Sequence, residues 1–173
     1  MSLSTYRIVG LESILYGPCN ADYSMPAVGS LESIGHTVPE TAKMAFATPE
    51  AAQFYTEESN DVDVEILGPA TKGIEFATYD MGNDTFVLAF GGSESGTTIW
   101  KAPTSSVLSM ERAVKITTKT YGGYYMEFEI PRLSLRAGGE LKFSKAVPGS
   151  IAFQGTVLKA GTNEPMTRTI KSV

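Results

Sequence analysis

The run Asp61-Val62-Asp63-Val64-Glu65-Ile66 alternates acid and aliphatic residues without a break. Side chains on an extended strand point to opposite faces at successive positions, so this run carries carboxylates on one face and an apolar stripe on the other. No helical period reproduces that pattern. Comparable short runs, rich in β-branched and aromatic residues, fall at 6–16, 28–38, 43–47, 73–79, 97–101, 113–120, 124–135, 150–159 and 166–171, with the alternating run extending over 62–67. Glycine, proline, asparagine and aspartate punctuate them, as in an all-β chain. Gly122-Gly123 lies between two such runs and predicts a tight hairpin. One segment breaks the pattern. Residues 82–90 follow capping-type residues and end at Gly91-Gly92, which predicts a short helix with Phe86, Val87 and Phe90 facing the core. Residues 48–61 read as an extended loop, with a possible helical turn at 49–53, and 91–96 as a glycine-serine loop. The expectation is one mainly β domain over 1–173, an antiparallel β-sandwich or small barrel with one short flanking α-helix.

Leu11-Glu12-Ser13-Ile14 returns as Leu31-Glu32-Ser33-Ile34. A repeat architecture needs at least three copies, so the echo reads as two similar strands. At 173 residues the chain suits one domain. One cysteine excludes a disulfide framework and a cysteine-built zinc site, and His36 is the lone histidine. No stretch approaches the ~18 consecutive apolar residues of a membrane helix. The first residues lack the basic and apolar regions of a secretion signal, so synthesis in a cytoplasm is expected.

The net charge of −5 hides a gradient. Residues 1–99 hold 14 acids and 3 bases, a net −11; residues 100–173 hold 5 acids and 11 bases, a net +6. Such a split favours self-complementary association where folding keeps the halves apart.

Motifs for catalysis and cofactors fail in turn. Asp61-x-Asp63-x-Glu65 starts like a calcium loop, but Ile66 stands where the glycine belongs and Lys72 where the final glutamate belongs. Gly91-Gly92-Ser93-Glu94-Ser95-Gly96 misses the nucleophile-elbow spacing at both serines. Neither a phosphate-binding loop nor a dinucleotide fingerprint is present. Glu57, Glu58, Asp61 and Asp63 supply paired carboxylates of the type a glycosidase uses, but without an aromatic sugar platform. Cys19 has no neighbouring base, and Trp100 reads as a core or interface anchor. With a pI of about 4.9 and no stacking motif among its basic residues, the chain lacks the footprint of a nucleic-acid reader. No enzyme, cofactor or metal site is expected.

The order of parts in the middle and C-terminal regions is informative. Phe54-Tyr55-Thr56-Glu57-Glu58-Ser59-Asn60-Asp61 is followed by a short strand, by Lys72-Gly73-Ile74-Glu75-Phe76-Ala77-Thr78-Tyr79-Asp80, and by a short helix closed by Gly91-Gly92. Downstream come Ile99-Trp100-Lys101-Ala102-Pro103, Phe128-Glu129-Ile130-Pro131-Arg132 and residues 151–159. Over about 40–160 this arrangement resembles the major tail tube proteins of long-tailed bacteriophages.

That resemblance implies a structural protein of the virion, made in the host bacterial cytoplasm. Its copies share sheet edges in rings, expected to be hexameric, and the rings stack into a hollow tube for genome delivery. Tip, terminator and tape-measure proteins would be its other partners, and DNA would pass without specific binding. In that setting Gln53, Phe54, Tyr55, Glu57, Glu58 and Asp61, with Arg136, Lys142 and Lys145, are the expected inter-ring contacts. Asp61, Asp63 and Glu65 are the expected bore-facing acids. Two other readings fit the same sequence: a monomeric carbohydrate- or protein-binding β-sandwich using Tyr121, Tyr124 and Tyr125, and a ring protein of a secretion-system tube.

Overall fold

Gly122 and Gly123 both adopt positive φ, 61° and 81°, the conformation a two-residue type I′ turn demands. The turn joins β9 (Met110–Thr118) to β10 (Tyr124–Gly138), and Tyr121 and Tyr124 exchange backbone hydrogen bonds across it at 2.8 and 3.2 Å. In a computed structural model the chain is described at residues 6–56, 59–96, 98–105, 110–138, 145–146 and 148–173.

The elements in chain order are β1 (Leu11–Gly17), a 3-10 turn (Val28–Ser30), β2 (Glu32–Ser33), β3 (Lys43–Phe46), β4 (Ala51–Thr56), β5 (Ser59–Leu67), β6 (Lys72–Thr78), α1 (Asn83–Phe90), β7 (Ser93–Ser95), β8 (Ile99–Lys101), β9 (Met110–Thr118), β10 (Tyr124–Gly138), β11 (Ile151–Val157) and β12 (Thr167–Ser172). The protein is mainly β and antiparallel with one helix, as the punctuated runs predict. The main sheet runs β2-β1-β9-β10-β11-β6-β3, and β12 adds beside β10. β4-β5 and β7-β8 are separate two-stranded sheets.

β10 is the spine. Its first half, Tyr124–Glu129, pairs with β12, and its second half, Leu133–Gly138, with β11. Pro131 falls at the handover, where the register with β9 shifts between Ile130 and Leu133. A residue without an N–H cannot serve a ladder, so the break sits where the ladder loses least.

The two copies of Leu-Glu-Ser-Ile meet. Ile34 N–H donates to Ile14 O at 3.0 Å, and both isoleucines are buried. From there the chain crosses to the opposite side of the sheet: Tyr79 N–H donates to His36 O, Val38 N–H to Ala77 O, and β3 continues beside β6. One segment is therefore bonded to β1 at its start and β6 at its end, which curls the sheet around a single core. Ile14, Ile34, Ile74, Phe76, Leu88, Val114, Ile130, Leu133, Leu135, Ile151 and Phe153 fill it.

Helix α1 starts at Gly82, places Asp84 in its first turn and ends at Gly91 (φ 70°). Eight residues are too few for a helix that stands alone, so packing must hold it. Its deepest residues are Thr85 and Leu88, and Phe86 and Phe90 of the expected stripe pack, half-buried, against the core. The same two rings also meet Trp100 edge-on, with ring centroids 5.3 and 6.3 Å away. The Trp100 indole N–H donates to Gly91 O at 2.8 Å. The glycine-serine stretch expected as a loop contains β7, and this aromatic cluster ties the β7-β8 pair to the helix.

Three other expectations are corrected. The N-terminal strand begins at Leu11 rather than Tyr6. The run 28–38 contains a 3-10 turn, the two-residue β2 and a single bridge from Thr37 to Thr78, because Gly29 and Gly35 interrupt it and Gly35 takes φ 85°. The expected extended loop at 48–61 is most of a β-hairpin, β4-β5.

Candidate functional site

In the β4-β5 hairpin, Ala51 pairs with Leu67, Ala52 with Ile66, Gln53 with Glu65, Phe54 with Val64, Tyr55 with Val62 and Thr56 with Ser59. The register slips on both sides of Tyr55, so the hairpin bends near its tip. At its base Gly68 N–H donates to Glu50 O at 2.8 Å. By strand alternation, Ala52, Phe54 and Ile66 share one face and Gln53 and Glu65 share the other.

That apolar face is open. Phe54 is 53% exposed and Ile66 56%. No strand of the main sheet bonds to the hairpin among the described residues. A lone two-stranded hairpin is marginal in water, and a β-branched and aromatic face left wet is a liability that soluble monomers avoid.

Six acids and no base lie between residues 44 and 71. Asp61, Asp63 and Glu65 sit on β5, so the residues expected to face a bore and those expected between rings (Gln53, Phe54, Tyr55, Asp61) belong to one hairpin. Glu57, Glu58 and Lys142 lie outside the described residues. Arg136 lies in the main sheet, in a cross-strand row with Gln154, Glu75 and Lys43. Lys145 is exposed in a bend before β11.

The two halves of the chain occupy different strands of the main sheet. The strands of the basic half, β9-β10-β11, form the centre of the sheet, with β1 and β2 on one side and β6 and β3 on the other. Among the described residues every ion pair joins two groups of the same half, so pairing across halves does not cancel the split. Lys115, only 6% exposed, contacts Glu127 at 3.1 Å and Glu129 at 3.2 Å, and Lys171 contacts Glu127 at 2.7 Å. Burial pushes the Glu127 carboxyl upward, but Lys171 and Lys115 outweigh it and hold that group below the ordinary value. Arg132 holds Glu111 through two bonds of 2.9 and 2.7 Å and stacks on Tyr23, 4.4 Å from the ring centroid. The Arg132 guanidinium keeps Glu111 below its ordinary range.

The remaining features lead less far. Burial pushes the Cys19 thiol up, away from a nucleophilic thiolate. An open depression of about 280 Å³ is lined by Tyr16, Glu32, Asp84, Glu94 and Arg112. Burial, then Glu32, raises Tyr16 to about 12, and a hydrogen bond with Asp84 raises Glu94. No group of three or more potential metal ligands gathers among the described residues, and none of their helices is long and apolar enough to cross a membrane. Tyr121 and Tyr124 are exposed at their turn, and Tyr6 packs edge-on against Tyr124 at 5.2 Å. No family model matches the chain, and no curated protein matches it.

Sequence reasoning placed the acids of this site and missed the hairpin that carries them. Ala51-Ala52-Gln53-Phe54-Tyr55-Thr56 has two alanines at its start, which weakens the strand signal. Its pairing to the alternating run was the available clue.

Proposed function

We propose that this protein is a non-enzymatic structural subunit whose copies assemble into rings, stacked as the tail tube of a long-tailed bacteriophage, through which DNA passes. The observation that carries the reading is the β4-β5 hairpin: Ala52, Phe54 and Ile66 form an apolar face that the other described residues leave open. Heterologous, head-to-tail contacts build rings and stacks, and they need surfaces that differ, which an acidic hairpin and the basic strand β12 supply. Acids on β5 suit a wall that phosphates slide past, within the ~8 Å over which charge acts at physiological salt. Virion location, a hexameric ring and tip, terminator and tape-measure partners follow from the resemblance.

The test is negative-stain electron microscopy of the purified protein at rising concentration, beside a variant whose residues 51–67 are replaced by a short Gly-Ser linker. Rings or rods from the intact chain and a folded monomer from the variant support the proposal. A clean monomer from the intact chain at every concentration, with a tip complex supplied, overturns it. The exposed Tyr6–Tyr124 pair and Tyr121 favour a second reading, a monomeric binding module, which predicts that clean monomer and a ligand-dependent change in tyrosine fluorescence.

A further inference from the structure

Among the described residues, several strands pair on one side only, and two of these open edges, β5 and β12, carry opposite charge. β5 pairs only with β4, and β12 pairs only with β10, among the described residues. The bond from Gly68 N–H to Glu50 O makes Ala52↔Ile66 a hydrogen-bonded pair, because bonded and non-bonded pairs alternate along an antiparallel ladder. Glu65 and Leu67 therefore turn their N–H and C=O away from β4. By the same alternation, the bond from Val173 N–H to Gly123 O leaves Arg168, Ile170 and Ser172 with backbone groups turned away from β10.

We propose that the free edge of β5 in one copy pairs antiparallel with the free edge of β12 in the next copy, in the register that sets Glu65 opposite Arg168. The partner is a second copy of this chain, and the inference rests on the self-assembly reading above. That register brings the outward backbone groups of both strands into one ladder. Glu65 and Arg168 are both exposed, and neither has an ion pair among the described residues, whereas Lys171 is already held by Glu127. β5 is nine residues long with Asp61, Asp63 and Glu65 at alternate positions; β12 is six residues with Arg168 and Lys171.

Charge also selects against the wrong pairs. Two β5 edges repel one another, as do two β12 edges, and unlike edges attract. Natural edge strands carry charge to prevent indiscriminate pairing, and here the two signs convert that protection into a choice of partner. A contact between different edges is head-to-tail and leaves β12 free on one copy and β5 free on the other, so it propagates.

The experiment uses the full chain. Glu65→Arg alone and Arg168→Glu alone should each raise the critical assembly concentration about tenfold, and the double exchange should restore it. Independently, Glu65→Cys combined with Arg168→Cys in a Cys19→Ser background should give a ladder of covalent multimers on oxidation, seen on a non-reducing gel. Assembly by the parent chain with no change in any charge variant and no multimer ladder overturns the edge assignment and leaves self-assembly standing. A cross-link confined within one chain overturns it equally. A parent chain that stays monomeric overturns both.

Discussion

Phe54→Ser separates what the hairpin does for the monomer from what it does between copies. Phe54 is 53% exposed on a hairpin with no strand partner in the main sheet among the described residues. A phenylalanine offers 150–250 Å² for burial, so roughly 100 Å² of this ring remains to be covered by a neighbour. At about 25 cal/mol per Å² that is about 2.5 kcal/mol for each contact, or roughly 60-fold in the association constant. The monomer should lose no more than about 0.5 kcal/mol, the ordinary range for an exposed position. Thermal unfolding of dilute protein and sedimentation of a concentration series measure the two quantities on one sample. The reasoning is refuted if the unfolding midpoint falls as it would for a core substitution, which would mean the ring packs inside the monomer. It is refuted equally if the assembly threshold does not move.

Other positions test the fold and its charges. Gly92 has φ 94° and a Cβ there would collide with the Lys101 carbonyl, so Gly92→Ala should cost more than about 2 kcal/mol in denaturant unfolding and loosen the β7-β8 pair. Lys115→Ala leaves Glu129 unpaired and Glu127 with Lys171 alone; a loss of about 3 kcal/mol is expected by chemical denaturation. Glu127 and Glu111 are held below the ordinary carboxylate value of 4.5, so the unfolded chain binds more protons in acid. Their contribution is complete above that value and is lost as pH falls through their lowered folded values, which a series of unfolding midpoints from pH 6 down to about 3 should trace. Leu133 is fully buried beneath Gly155, and Leu133→Ala should cost about 2–5 kcal/mol in the same assay.

Strand identity was legible wherever side chains alternate or a turn has a chemical signature. The Gly122-Gly123 turn, β6, β9, β10 and β11 follow from local pattern, as does the short helix ended by Gly91. The misses share a cause: their state is set by pairing rather than composition. Residues 28–38 have strand-like side chains, yet Gly35 must take a positive φ against Asp80, and that turn sends the chain from β1 to β6. Ala51 and Ala52 have weak strand propensity and become extended because β5 lies opposite. The helix buries Leu88 more deeply than Phe86 and Phe90 because Trp100, ten residues beyond the helix in a different element, meets both rings. At the candidate site the acids could be read from the sequence. The open apolar face of Ala52, Phe54 and Ile66 could not, since it exists only once the register is known.

Hydrogen exchange of the hairpin as a function of concentration tests the central claim most directly. In dilute monomer the amides of residues 51–56 and 59–67 should exchange rapidly, as expected of a two-stranded hairpin that no strand of the main sheet joins among the described residues. In assembled protein those amides should become protected together with those of 167–172, while amides of β9 and β10 in the core remain unchanged. Protection of 51–67 already complete in the monomer, or hairpin exchange equally fast in an assembled sample, would contradict the account.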